Sequence, residues 1–287
     1  MFNLKKSPEQ RSANLHVRQA LSGQELQKIS ELIYQRAGIV VTPQKRNMVY
    51  NRLARRLLDL NMSCFSDYIS LLEKHPTGEE WQRFINALTT NLTSFFREAH
   101  HFPILAGHAR ARQSGYNVWC TAASSGEEAY SIAMTLAETL GQNIAGPRVW
   151  ATDINTEVLA TAMNGVYRLA DIENLSQRQK KNWFMRGKAP HQDRVKVKKQ
   201  LRTTICFQQL NLLERRWDIP SPFDAIFCRN VMIYFDQKTQ HQLLLRFARM
   251  LKPGGLLFVG HSENFSNLDI PFRLRGQSVY ELKQVTS

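Results

Sequence analysis

Apolar and polar positions follow two rhythms along this chain, and the change falls near residue 100. Before it the spacing is helical. Ser22 and Glu25 fit a capping box, S-x-x-E, and Leu26, Ile29, Leu32 and Ile33 follow on one helix face. Gly38 is placed to end that helix. Thr42 and Pro43 predict the next start, as N-cap and first helical residue, with Val49, Leu53, Leu57 and Leu60 as the apolar stripe. A third helix is expected over residues 66–74, before the break at Pro76, Thr77 and Gly78. A fourth, over residues 80–90, carries Trp81, Phe84, Ile85 and Leu88 at i, i+3, i+4 and i+7. These segments predict a small all-helical domain over residues 21–90, after a polar, mobile lead-in at residues 1–20.

Beyond residue 100 short apolar runs alternate with helical patterns. Strands are expected over residues 117–121, 148–153, 204–208, 223–229 and 255–260, with helices over 100–112, from Glu127, over 156–163 and over 238–251. The run LKPGG reads as a helix end and turn before the last of these strands, and residues 272–282 as a terminal hairpin turning at Gly276 and Gln277. The fold class is therefore α/β, a doubly wound, mostly parallel sheet filling residues 100–287. Residues 171–203 break the alternation. Residues 176–185 look helical, 186–192 are turn-rich, and RVKVKK at 194–199 alternates as an exposed strand does. This predicts an inserted small antiparallel β-subdomain with a basic sheet edge, and such an edge recruits extended peptides. Residues 91–99 link the two domains; Phe95 and Phe96 read as core, and Arg97 has only Glu98 as a local acidic partner.

The stretch VWCTAASSGEEAYSIAM, residues 118–134, is the centre of the second pattern. A strand, a run of small residues and a helix start make a place for a nucleotide-like cofactor at the edge of a parallel sheet. Gly126 is its lone glycine, so the dinucleotide fingerprint is missing. Glu127 and Glu128 stand where a pyrophosphate would lie. Two carboxylates suit a cationic, amino-bearing cofactor better, which points to S-adenosylmethionine (SAM) rather than NAD.

Charge narrows the partners. The 287 residues carry a formal net charge of +14, which suits an acidic partner: nucleic acid, a membrane surface or an acidic protein. Lys45, Arg52, Arg55 and Arg56 fall within about 100° of helical arc beside the second apolar stripe, as a basic docking face or a solvated one. Cys64, Cys120, Cys206 and Cys228 form no CxxC pair and have no histidine cluster, so free thiols are expected, with no metal. The first residues lack a secretory apolar region, and no run approaches the roughly 20 apolar residues of a membrane span. A cytoplasmic location without membrane insertion is the expectation.

Other candidates lie at strand ends. Asp153 closes the second strand, where an acid accepts ribose hydroxyls. Asn211 follows the third strand, where an amide can read an adenine edge or simply shape a turn. Arg229, Asn230 and Tyr234 follow the fourth, on the rim where the reacting end of a cofactor sits. His261, after the last strand, reads as a structural histidine rather than a base.

At this point the motifs NALTTNLTSFFREAHHF, AASSGEEAYSIA, FDAIFCRNVMIYFD and LKPGGLLFVGHSENF resemble the CheR-type chemotaxis receptor methyltransferases, closest to the enterobacterial type. The resemblance runs from about Leu21 to Leu282 in motif order. It implies SAM-dependent methylation of glutamate carboxylates on the cytoplasmic helices of methyl-accepting receptors, with S-adenosylhomocysteine as product. Carried over by position, it implies cofactor contacts at Asn91, Thr93 and Arg97, at Glu128 and Asp153, at Asn211 and Leu212, and at Arg229 and Asn230. Arg97 and Tyr234 would orient the substrate carboxylate, which is already ionised and needs no strong base. Arg52, Arg55 and Arg56 would dock glutamate-rich receptor helices. The subdomain at residues 186–203 would bind a receptor's C-terminal pentapeptide. Ala129 stands where the family often has proline, which would only stiffen the first helical turn. A monomer is expected.

A nucleic-acid methyltransferase is the rival that the basic charge favours. No aromatic-basic stacking platform and no (D/N)PPY motif supports it. A cofactor-binding adaptor without catalysis is the other rival, and the residues do not separate it from an enzyme.

Overall fold

The computed structural model describes residues 20–112, 115–141, 146 and 148–283. The lead-in expected over residues 1–20 lies outside them except for Ala20. The chain divides into two compact units, Met1–Thr89 and Thr90–Ser287.

The first unit is all-helical. Helix α1 (Gly23–Ala37) starts on the expected capping box, with Ser22 Oγ accepting the Glu25 N–H and Glu25 accepting the Ser22 N–H, and ends at Gly38 with φ +69°. The second start differs from expectation. Pro43–Lys45 forms a separate 3-10 turn, Thr42 makes no side-chain cap, and α2 spans Arg46–Asp59. Proline fixes φ for a tight turn as readily as for a helix start, so the sequence cannot separate the two. Helices α3 (Phe65–Lys74) and α4 (Glu80–Leu88) follow, and Tyr68, Phe65, Phe84, Leu53 and Val49 are fully buried between the four.

The second unit opens with α5 (His101–Arg112), β1 (Val118–Cys120), α6 (Glu127–Leu140), β2 (Val149–Asp153) and α7 (Thr156–Asn164). A small antiparallel sheet comes next: β3 (Val166–Arg168), α8 (Gln177–Trp183), β4 (Phe184–Arg186), β5 (Arg194–Val197) and the short α9 (Lys199–Arg202). The main sheet resumes with β6 (Ile205–Gln209), β7 (Phe223–Cys228), α10 (Gln237–Met250), β8 (Leu251–Val259), β9 (Phe272–Gly276) and β10 (Val279–Leu282). Its order is β6-β2-β1-β7-β8-β10-β9, parallel from β6 through β8, with β10 and β9 antiparallel. From β1 the chain winds first to β2 and β6 and then back to β7 on β1's other side. The crevice beyond the carboxyl ends of β1 and β7 is thus the topological switch point, where open α/β sheets take ligands.

Both faces of the sheet are covered, with the period-2 alternation of strands. Val118, Cys120, Ala225, Phe227, Leu256 and Phe258 pack with α5, α6 and the small subdomain. Trp119, Ile226, Cys228, Leu257 and Val259 turn to the other side against Leu243, Leu244 and Phe247 of α10.

Three details correct the sequence reading. Strand β8 runs straight through Lys252, Pro253, Gly254 and Gly255, where a turn was expected; Gly254 at φ +67° and a register shift against β7 absorb the irregularity. The small sheet begins at Val166, with order β3-β5-β4. Its basic strand β5 is therefore central rather than an edge, and Arg194 and Lys196 leave the sheet face while Val195 and Val197 are buried. Residues 184 and 185, expected as helix, and 186, expected as turn, form the edge strand β4. Among the described residues no helix is long and apolar enough to cross a membrane.

Candidate active site

The segment from Asn91 to Glu98 is strapped across the end of β1 and the start of α6. Ser124 Oγ donates to the Asn91 carbonyl at 2.9 Å, the Phe96 N–H donates to Ser131 Oγ at 2.9 Å, and Asn174 donates to the Phe95 carbonyl at 3.1 Å. Phe95 is buried and Phe96 packs on Phe102, so both serve the core as expected. Phe96 and Glu98 each sit at φ +52°, a region that costs a non-glycine residue roughly 1 kcal/mol or more and persists where surroundings enforce it. Arg97 folds its guanidinium back onto the Leu92 carbonyl at 2.9 Å. Leu92 itself is 80% exposed.

Gly126 shows why the turn after β1 needs its single glycine. Its φ is +100°, and a Cβ there would lie 2.8 Å from Ala162 Cβ and 2.9 Å from the Tyr167 hydroxyl oxygen. The glycine lets α6 start against α7 and β3, a packing role rather than phosphate access. The two glutamates after it diverge. Glu127 is buried, accepts the Ser125 hydroxyl at 2.7 Å, and burial pushes its carboxyl up. Glu128 turns towards the crevice, 2.9 Å from Arg229 Nη1 and accepting the Cys120 thiol at 3.3 Å. Burial raises its carboxyl against the pull of Arg229.

Arg229 is the hub. Its side chain is 1% exposed at the end of β7. Besides Glu128 it lies 3.5 Å from Glu98 Oε2, and its Nη2 donates to the Arg97 carbonyl. Glu98 also accepts the Asn230 side chain at 3.3 Å and lies 3.5 Å from His261 Nδ1. Burial works against ionisation of Glu98, but Arg229, with Asn230 and the His261 backbone, holds its carboxyl below the ordinary range. Glu98, the one acid beside Arg97 in sequence, pairs instead with Arg229. His261 is 74% exposed and meets the edge of this carboxylate.

Asp153 ends β2 almost fully buried, accepting the N–H groups of Ser124 at 2.8 Å and Asn155 at 2.9 Å. Burial pushes its carboxyl up against those donors. Its own carbonyl accepts the Leu210 N–H, which ties the β6 end beside it. There Asn211 shapes the turn, its Oδ1 accepting the Leu213 N–H at 3.0 Å, and Leu212 is buried. Tyr234, half-buried, closes the 3-10 turn Met232–Tyr234 beyond Asn230, and Thr93 lies partly exposed in the strap.

Contacts thus bring together Asn91, Arg97, Glu128, Arg229 and Asn230, with Asp153, Asn211 and Leu212 along the adjoining strand ends. Arg52, Arg55 and Arg56 belong to the helical unit. Arg52 donates to the Leu88 and Thr89 carbonyls that end α4, and Arg56 makes a two-pronged pair with Glu80 at 3.0 and 2.7 Å. Both guanidiniums hold their own domain together, and Arg55 is the exposed one of the three.

Sequence reasoning missed two carboxylates. Glu98 was quoted only as a neighbour of Arg97. Glu263, in the quoted run GHSENF, was given no role, yet it is buried under the Asn230 turn. An acid three residues beyond a strand-end glycine was the available signal.

The donor set fits SAM. Around the crevice stand three carboxylates, Glu98, Glu128 and Asp153, against two guanidiniums, Arg97 and Arg229. That excess of negative charge matches a ligand carrying a sulfonium, an ammonium and one carboxylate. Glu98, His100 and His101 bring potential metal ligands within 4.8 Å of one another, but Arg229 already stands at Glu98, where a metal cation would be repelled.

Known proteins resemble both parts of the chain. Residues 24–89 match the CheR methyltransferase all-alpha domain, and residues 91–280 match the CheR methyltransferase SAM binding domain. A chemotaxis protein methyltransferase of Klebsiella aerogenes is 58% identical over 94% of this chain and 93% of its own. That of Escherichia coli K12 is 57% identical over 93% of each chain. Chemotaxis protein methyltransferase 2 of Pseudomonas aeruginosa is 47% identical over 90% of this chain and 92% of its own. With both of its domains matched along nearly their whole length, the chain belongs to the CheR methyltransferase family.

Proposed function

We propose that this protein transfers a methyl group from SAM to glutamate side chains on the cytoplasmic helices of methyl-accepting chemotaxis receptors, giving glutamate methyl esters in sensory adaptation. The observation that carries the reading is the switch-point crevice, in which buried acids outnumber bases, within a chain of this family. SAM, when bound, supplies an electrophilic methyl group on a sulfonium. The protein's part is to bind, orient and exclude water. Asp153 would hold the ribose hydroxyls, and Asn211 with the Leu212 backbone would meet the adenine edge. Asn91, Thr93 and Arg97 come from the strap, and Glu128, Arg229 and Asn230 from the facing strand ends. A carboxylate nucleophile is ionised near neutral pH, so no strong base is needed. Arg97 and Tyr234 orient it. Receptor incubated with enzyme and SAM should show one added methyl on glutamate-bearing peptides by mass spectrometry; methyl only on other side chains contradicts the reading.

Two expected results test the residue roles. Tyr234→Phe should lower turnover about tenfold, the worth of one orienting hydrogen bond of about 1.4 kcal/mol. Steady-state kinetics with unchanged turnover removes the hydroxyl from that role. Arg55→Glu should lower kcat/KM for receptor several-fold and leave SAM affinity unchanged, because Arg55 is the docking cation that its own domain does not use. Equal rates would make this helix face merely solvated. Arg52 and Arg56 are poor sites for charge reversal, since their loss breaks the helical unit itself. A C-terminal receptor pentapeptide adds as a strand to the three-stranded sheet at β4 or β3, its two edges, rather than at β5. The enzyme works in the cytoplasm as a monomer.

A further inference from the structure

Glu263 is a buried carboxylate whose partners are backbone N–H groups. Its Oε2 accepts from Gly260 at 2.6 Å and Asn230 at 3.0 Å, and its Oε1 from Ile233 at 3.3 Å, with the Met232 N–H as a fourth donor. Burial pushes its carboxyl up and these donors pull it back. Burying a carboxylate without a cation is costly unless its oxygens are well satisfied, so its donors explain its place. They bracket one short turn. Asn230, at φ +56°, is held in a left-handed conformation, and the turn Met232–Tyr234 starts two residues on. Gly260 permits the approach, because a Cβ there would lie 2.4 Å from Asn230 Nδ2.

We infer that Glu263 is a positioning residue for methyl transfer, fixing Asn230 and Tyr234 through the backbone of the turn they share. This rests on the methyltransferase reading and on the roles proposed above for those two residues. Glutamine would keep the volume but offer one acceptor oxygen, turning its amide hydrogens towards two N–H donors.

The test uses the full-length Glu263→Gln protein, assayed well below its thermal midpoint. Turnover at saturating SAM and receptor should fall about 10- to 100-fold, the scale set by small misplacements at a reacting centre. Receptor KM should stay within about twofold, since docking is untouched. In nitrogen-15 spectra the amide protons of Asn230 and Gly260, or of Ile233, should move upfield as the carboxylate bonds are lost. A lowered thermal midpoint with wild-type turnover below it is the signature of a purely structural residue and overturns the inference. If Glu263→Gln does not fold, Glu263→Asp decides, since it keeps the charge but retracts the carboxylate by one methylene. Reduced turnover with unchanged KM in that variant supports positioning, and wild-type turnover refutes it. A wild-type protein that makes no methyl ester overturns the functional reading and this inference with it; an active wild type beside an equally active variant overturns this inference alone.

Discussion

Arg229→Ala is expected to destabilise the SAM-binding domain by about 3–5 kcal/mol, because it leaves buried carboxylates without their shared cation. Glu128 and Glu98 both face this guanidinium, at 2.9 and 3.5 Å, from side chains only 12% and 10% exposed. The strap also loses a tie, since Arg229 donates to the Arg97 carbonyl. For a domain of this size the thermal midpoint should drop by about 2–4 °C per kcal/mol. The loss should depend on pH with a definite sign. Glu98 is held below the ordinary carboxylate range in the fold, so its pairing stabilises above that range and is lost as pH falls through its folded value. Glu128 lies above the range because of burial, and losing Arg229 raises it further. The gap between wild type and variant should therefore be widest near neutrality and narrow on acidification. Calorimetric scans showing equal midpoints at pH 7 would remove Arg229 from the centre of the site. Arg229→Lys should fall between the two, because an ammonium cannot span both carboxylates and the carbonyl.

Asp153→Ala should weaken SAM binding about 100-fold, while turnover at saturation changes less. Two hydrogen bonds from ribose hydroxyls to an ionised acceptor are worth about 3 kcal/mol together, which is two decades in affinity. The carboxylate also satisfies the Ser124 and Asn155 N–H groups, with Ile154 as a third backbone donor, so the variant leaves these donors behind and should lose about 1–3 kcal/mol of stability as well. Titration calorimetry on folded protein separates the effects. Wild-type SAM affinity in the variant would take Asp153 out of the cofactor site and leave it as a turn organiser.

Local rules make much of the fold readable from the sequence. The Ser22–Glu25 capping box and the Trp81, Phe84, Ile85, Leu88 stripe are one-dimensional signals, and both reappear in α1 and α4. Strand ends were readable too, which is why Asp153, Asn211 and Asn230 were singled out together. What escaped depends on partners far along the chain. Glu98 and Arg229 are distant in sequence, and nothing near Glu98 says that it turns inward. The basic residues of α2 look alike in spacing, yet Arg52 and Arg56 turn to α4 while Arg55 faces out. Alternation in RVKVKK marked a strand, read as an exposed sheet edge, but could not tell a central strand from an edge, because that is decided by what pairs on each side. The left-handed residues of the strap carry no glycine to announce them; tertiary hydrogen bonds hold them there.

The turn after β1 changes meaning in this light. Its glycine serves helix packing, and of its two glutamates only Glu128 reaches the crevice. In the proposed function, cofactor recognition is spread over the strap and the strand ends rather than concentrated in one loop.

Methyl transfer to a carboxylate underlies every residue role proposed above. Its most direct measurement incubates the protein with methyl-labelled SAM and receptor-containing membranes, isolates the receptor, and treats it with mild alkali. Label on the receptor should be released as volatile methanol, as a glutamate methyl ester requires. Label that survives alkali, or that sits on nucleic acid, or no transfer at all from a protein that binds SAM, would contradict it.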